Sequence, residues 1–509
     1  MSKGFLYKIK KIDNLVKVFS EENLSKLETY TKQKGFNNYI FMEALPGLPE
    51  NFTWLIPLEK EHFFAPENNP KPQKIQEKNE YITPYWPVLK FLKVVAKKNY
   101  EEIKNREIEN ALIKIVDLII NYRDKKGKRI DNWRTDLDLL EIIYYLPINR
   151  INISHISFIK DGLKTKWNNS LFARKLGEKL IPKLIKRKLK NLLIELLEII
   201  LSYKKEVKGL TEEYKSITDD YIFKDILDNN KKGITDLCGK EASRIGIKKI
   251  EEIINNYELE FDIHSIWTIK DEKKPRSMDS YNYQIIRFVR DIYEQSPPNE
   301  IKEDIVILLN KKHSIFKRIA IHAINHHYKN LNDLFWQVWK DSNPLDDYQL
   351  KPEIYELFKN NCNLFTDKQI IKVVDWVNTK DYKEKVKKAK ALRKREWLET
   401  LLKTNNTRVL KEYERNKKIN PNPITYPGKV IWMDVHWVRE MSPISTEELL
   451  KMKNKQIFQY LINFKEEKFL NKPTQEGLED TLRKSVTENP GKYTEDLQPF
   501  FKLPFSYHR

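Results

Sequence analysis

SIFKRIAIHAINHHYKNLNDLFWQVW (residues 314–339), NPLDDYQLKPEIYELFKNN (343–361) and FTDKQIIKVVDWV (365–377) follow one another with only short breaks. Each stretch places Ile, Leu, Val, Phe or Trp three and four residues apart, the spacing of one helix face. Asn343-Pro344 reads as a turn, and Thr366 followed by Gln369 is a capping box that opens the last stretch. Nothing here alternates with the period of two that a strand needs. A short helix with one apolar stripe cannot bury that stripe alone, whereas stacked helices can, and α-solenoids are built in this way. The stretch therefore predicts an all-α chain, an irregular HEAT-like α-solenoid, and solenoids serve mainly as binding surfaces. No catalytic motif falls within it.

The rest of the composition agrees with helices. Gly is scarce, 13 in 509 residues, while sheets and phosphate-cradling loops draw on it heavily. The 40% hydrophobic content supports a core. Lys and Arg outnumber Asp and Glu by 93 to 73, a net charge of +20, which suits an anionic partner such as nucleic acid. The excess is mostly Lys alongside abundant Ile and Asn, a bias that an AT-rich genome also produces. Two cysteines, Cys238 and Cys362, make no disulfide framework or zinc site by themselves. No segment reaches the ~18–20 apolar residues of a membrane span; the longest apolar stretch, Leu192–Leu201, is interrupted by Glu195 and Glu198. These features predict a cytoplasmic chain with no membrane partner.

Five segments follow from the pattern. Residues 1–84 read as a loop-rich N-terminal cap, with one helix near Glu21–Lys34 and six prolines between Ala44 and Gln73. Residues 85–204 read as helical repeats, with helices at Val88–Lys98, Ile103–Asn121, Asp136–Tyr145 and Leu180–Tyr203. Residues 205–300 form a polar helical middle region, with helices at 219–228, 241–256 and 279–294 and an exposed loop at 270–280. Residues 301–417 carry the HEAT-like repeats and the basic helix Asp381–Thr404. Residues 418–509 begin with a Pro-rich break, NPNPITYPG (420–428). A helix then opens at the Ser445/Glu448 capping box and runs to about Phe464, and a last one spans Gln475–Glu488.

Several landmarks together carry a resemblance: FFAPENNPKPQ (63–73), ITPYWPVLKFLKVVA (82–96), FKRIAIHAI (316–324), LFWQVW (334–339), MSPISTEELLKM (441–452) and PTQEGLEDTLRKSVTENPGKY (473–493). The chain resembles the HEAT-like helical regions of large bacterial proteins of anti-phage defence and related conflict systems. Many of those carry a P-loop NTPase or an effector domain elsewhere. The resemblance implies a helical fold and a partner of that kind, and it assigns no site residue. Proteins of that group are usually much longer. This chain ends on the apolar FFKLPFSYHR (500–509) with no polar capping helix. That end is expected to be capped by a partner, to fold back, or to reflect a split or truncated gene.

Candidate chemistry is sparse. Gly239-Lys240 and Gly428-Lys429 lack the following Ser or Thr and the upstream Gly of a P-loop. His322 and His326 sit four apart on one helix, a metal-sharing spacing, but HExxH is missing. Asp434 and His436 in WMDVHW would share one face of an extended segment. Glu258, Glu260, Asp262 and Lys270 lack the spaced pattern of a nuclease core. No catalytic, cofactor-binding or metal site is assigned, and no cofactor is expected. Phe335, Trp336, Trp339 and Trp376 read as core knobs between helices.

The basic groups are stronger candidates. Lys183, Lys186, Arg187, Lys188 and Lys190 cluster on one helix. Lys383, Lys385, Lys387, Lys388, Lys390, Arg393, Lys394 and Arg395 form a second block, and Lys125, Lys126, Lys128 and Arg129 a basic loop. Lining one groove, such residues follow a phosphate backbone without reading sequence; the alternative is a solvated helix face. Lys183, Lys186, Arg187, Lys190, Lys387, Lys388, Arg393 and Arg395 are the residues expected to contact nucleic acid. Two functions stay open: a non-enzymatic scaffold or recognition subunit that binds a protein partner, an NTPase or effector subunit, and a nucleic-acid-binding module using the basic helices.

Overall fold

Helices with one apolar stripe, each too short to stand alone, account for most of this fold. The computed structural model describes residues 3–75, 81–164, 169–208, 211–255, 269, 280–382, 386–425, 427–428, 442–465, 473–503 and 507. The architecture is all-α. Among the described residues the strands form two antiparallel hairpins, Gln73–Lys74 with Tyr81–Ile82 and Tyr203–Lys208 with Thr211–Ser216. The chain divides into two compact units, Met1–Val430 and Ile431–Arg509.

In the first unit the stretch that opens the sequence reading folds into helices Ser314–His326, Tyr328–Val338, Lys351–Asn361 and Asp367–Thr379. The capping box at Thr366 is formed, with its hydroxyl oxygen accepting from Gln369 N–H. Helix Tyr281–Gln295 packs on Ser314–His326, which packs on Lys351–Asn361. Beside them, Pro298–Leu309 packs on Tyr328–Val338, and Asp367–Thr379 packs on Thr407–Ile419. Aromatic rings fill the seams. Trp336 stacks on Trp376 at 5.7 Å between centroids, and Phe358 lies 5.9 Å from Phe335 and 6.2 Å from Trp397. These are the knobs expected from the sequence.

A buried ionic network crosses the same helices. Arg318 donates to both carboxylate oxygens of Glu353, at 2.7 and 3.1 Å. Glu353 also accepts from the Ile269 N–H at 2.9 Å, while Arg290 donates to the Ile269 carbonyl at 2.9 Å. Asp291 accepts from Arg290 and from Lys231. Each charge has a partner of opposite sign and a geometric role, the condition under which charges tolerate burial.

The structure departs from the sequence reading in several places. Residues 1–84 hold more helix than one: Lys3–Val16, Glu21–Thr31, Lys34–Tyr39 and Leu55–Lys60. Their proline-rich strap is pinned by Asn132, whose amide donates to Asn69 Oδ1, Pro70 O and Pro84 O. The helix expected over Leu180–Tyr203 is broken at Lys188, which takes a left-handed conformation (φ 56°), leaving Ile181–Lys186 and Lys190–Ile200. The hairpin 203–216 lies at the start of the region read as polar and helical, where the pattern places neither a helix nor a strand, and is held by Tyr203 against Tyr214 at 5.3 Å and both strands' ladder bonds. The helices expected at 219–228 and 241–256 are one element, Asp220–Asn255, kinked at Cys238 (φ −150°, ψ 34°).

The second unit has its own small core of Leu449, Ile457, Leu461, Leu478 and Leu482. The Ser445/Glu448 capping box is present, but its helix stops at Lys451 and a separate one covers Asn454–Asn463. The Gln475–Glu488 helix has the bounds read from sequence. Near the chain end Leu503 is buried in this core and Phe500 packs on Tyr493, so these residues of the apolar tail pack within their own unit.

Candidate nucleic-acid interface

The second basic block lies on helix Lys387–Glu399, and the structure pairs it with a helix that the sequence reading left unmarked, Thr407–Ile419. A tight connection folds one against the other. Leu402–Thr404 makes a single 3₁₀ turn, Asn405 adopts φ 53°, and the Asn406 side chain caps the second helix by accepting from Arg408 N–H and Val409 N–H. Ala391, Trp397, Leu398 and Val409 are buried. At the far end Asn420 Nδ2 donates to the Lys388 carbonyl at 2.9 Å, and Arg395 donates to Asn420 O and, at 2.9 Å, to Asn422 O. Residues 420–422, expected in the C-terminal segment, are thus tied to the first unit.

Between the two helices runs an open groove of about 160 Å³. Lys387, Lys390 and Lys394 line one wall; Glu412, Arg415 and Asn416 line the other. The three lysines fall at i, i+3 and i+7, one stripe of a helix. On the partner helix Lys411, Arg415 and Lys418 fall at i, i+4 and i+7, a second stripe, and all three are exposed. The Lys394 ammonium is held below the usual lysine range, first by burial and then by the Lys390 charge, with Arg415 acting in the same sense and Glu412 against it.

The structure distributes the eight expected contact residues unevenly. Lys387 and Lys388 are exposed. Arg393 lies 3.5 Å from Glu396, a buried carboxylate that also meets Lys351 at 2.7 Å. Arg395 is buried, with its guanidinium 5.4 Å from the Tyr413 ring and bonded to carbonyls, so it serves the fold rather than the surface. Lys183 is also buried. Its ammonium donates to the Tyr144 and Leu146 carbonyls, the latter at 2.8 Å, at the C-terminal end of helix Trp133–Tyr145. The Tyr100 and Tyr144 rings flank it at 5.0 and 5.2 Å. Burial, with the Arg187 charge, pushes it down to about 8. Helix-end carbonyls attract a cation, which accounts for its position. Lys186 and Arg187 are exposed, and Lys190 pairs with Glu241 at 2.8 Å. In the basic loop, Arg129 is committed to Asp136 through two bonds of 2.8 and 2.6 Å.

The other candidates resolve into packing where they are described. His322 Nε2 lies 2.6 Å from Glu294 Oε1, and His327 Nε2 lies 2.8 Å from the Tyr293 carbonyl. The His326 imidazole is pushed down by burial and by His327. Among the described residues no group of three or more His, Cys, Asp or Glu is placed to hold a metal ion. Cys238 and Cys362 are free and buried, and burial pushes the Cys238 thiol up to about 12, away from reactivity. Glu258, Glu260, Asp262, Lys270, Lys383, Lys385, Asp434 and His436 lie outside the described residues. No helix among the described residues is long and apolar enough to cross a membrane.

No family model and no curated protein matches the chain. The crystal structure of an engineered protein is similar to it at 14% identity and a TM-score of 0.24, over 81% of this chain and 99% of that one. A likeness that slight carries no argument about fold or function.

Proposed function

We propose that this chain is a HEAT-like α-solenoid acting as a non-enzymatic scaffold or recognition subunit, and that its partner is a protein, an NTPase or effector subunit of a bacterial anti-phage defence system. The observation that carries this reading is the paired packing between Tyr281 and Ile419. Helices Tyr281–Gln295, Ser314–His326 and Lys351–Asn361 pack in succession, with Pro298–Leu309 and Tyr328–Val338 packing beside them. Pairs repeated this way expose a long surface assembled from many helices, which suits recognition of a large partner. The defence context rests on the resemblance of the aromatic and proline landmarks.

The test is a native pull-down of the tagged full chain from its source cells, with mass spectrometry of what is retained. A protein recovered in stoichiometric amount, and retained when salt is raised, supports the scaffold reading, because apolar interfaces depend weakly on ionic strength. Recovery of the chain without a protein partner contradicts it.

A further inference from the structure

We infer that the groove between helices Lys387–Glu399 and Thr407–Ile419 is a binding site for the sugar–phosphate backbone of nucleic acid, contacted by the groove-lining Lys387, Lys390, Lys394 and Arg415. This site stands on the geometry of one helix pair and is independent of whether the chain also holds a protein partner.

Three observations lead to it. First, Lys387, Lys390 and Lys394 run as one cationic stripe along the groove, with Arg415 on the opposite wall. From Lys387 to Lys394 the rise is about 10 Å at ~1.5 Å per residue. That length faces about three phosphates of one strand at ~3.4 Å of axis each. Second, among the described residues the one carboxylate paired with a groove-lining cation is Glu412, 3.6 Å from Arg415. Lys190 pairs with Glu241, Lys240 with Glu303, Lys302 with Asp333 and Lys311 with Glu251. By contrast Lys387, Lys390, Lys411 and Lys418 meet no carboxylate within ion-pair distance among the described residues. Third, the fold holds the cations together at a cost. Lys394 stays in a partly buried position where burial first, and then the Lys390 charge, disfavour the ammonium, with Glu412 acting against them. A polyanion in the groove reverses that penalty.

The same features set the ligand class. A membrane-surface helix pairs its cations with a free apolar face, whereas in these helices Ala391, Trp397, Leu398 and Val409 are buried and Leu410 is the one large apolar residue exposed. The groove presents Lys and Arg without an exposed aromatic platform, so it recognises backbone charge and not base identity.

The test uses the full chain and a fluorescein-labelled mixed-sequence duplex of about 30 base pairs, followed by anisotropy from about 50 to 300 mM salt. Three proteins are compared: wild type, a groove variant (Lys387→Glu, Lys390→Glu, Arg415→Glu), and a control with the same charge change on other exposed lysines (Lys32→Glu, Lys329→Glu, Lys368→Glu). A second groove variant with Gln at the same three positions guards against misfolding, and circular dichroism checks all four. The expected result is wild-type binding whose log–log salt slope exceeds that of the groove variant by about 2–3, at ~0.9 per duplex phosphate released. The groove variant is expected to lose at least about tenfold in affinity, the Gln variant to lose less, and the control to keep the wild-type slope. Equal losses in groove and control variants would overturn the site, as would no binding by wild type. Wild-type binding to anionic vesicles or polyglutamate in preference to the duplex would also overturn it.

Discussion

Glu353 is 3% exposed, and three groups rely on its charge: Arg318, the Ile269 N–H and the helix that carries it. Nothing at position 353 announces this in the sequence, because its partner is 35 residues away and the pairing exists only once the helices stack. Glu353→Gln leaves the Arg318 guanidinium buried without its counter-charge. Breaking one side of such a pair costs about 3–5 kcal/mol, so the denaturation midpoint followed by far-UV circular dichroism is expected to fall markedly. A midpoint equal to wild type would show that the pair contributes little. Glu141 gives a pH-dependent counterpart. Burial acts to raise its carboxyl, but the Lys175 hydrogen bond and charge, with Lys93 and Lys179, outweigh this and hold it at about 2. A carboxyl lowered on folding stabilises the fold above its ordinary value of 4.5 and loses that contribution as pH falls toward 2. Wild type is therefore expected to exceed Glu141→Gln in stability by about 2 kcal/mol at pH 7, with the gap closing between pH 5 and 2. A constant gap across that range would rule out the ionic origin. The same residue-scale lesson holds for Lys183 and Arg395. In sequence they look like their exposed neighbours Lys186 and Lys387, and only the carbonyls packed against them distinguish a structural cation from a surface one.

Elements were legible where the apolar period is strong and a cap marks the start. Val88–Lys98 and Gln475–Glu488 have the bounds their patterns imply, and both Ser/Thr capping boxes formed. The hairpin at 203–216 was not legible. Its strands, YKKEVK and TEEYKS, are charge-rich and bury Tyr214 with little apolar alternation to betray them. The kink at Cys238 likewise leaves no mark beyond the following Gly239. The groove was half legible: Lys387 and Lys388 stood out as a charge run, while Lys411, Arg415 and Lys418 are interspersed with Glu412 and Glu414. Counting cations at i, i+4 and i+7 after the basic helix would have found them. Helix Asp220–Asn255 owes its close approach to Tyr281–Gln295 to Gly246, where an added Cβ would lie 2.5 Å from Val289 Cγ2. Gly246→Ala is expected to destabilise by about 1–3 kcal/mol through overpacking, despite the better helix propensity of Ala. A rise in the thermal midpoint would show that the two helices separate without penalty.

At the scale of the molecule, the all-α class followed from the composition and from one stretch, 314–377. The charged core and the division after Val430 depend on contacts between distant residues, which a single sequence does not display. Under the proposed function this chain works by recognition, through helix pairs packed between Tyr281 and Ile419, with a cationic groove in the last pair. Hydrogen–deuterium exchange of the tagged full chain, alone and as the complex isolated from its source cells, tests this most directly. Slower exchange in helices between Tyr281 and Ile419 upon complex formation is the predicted result. Protection confined to residues outside that span, or a chain recovered with nothing bound, would contradict the account.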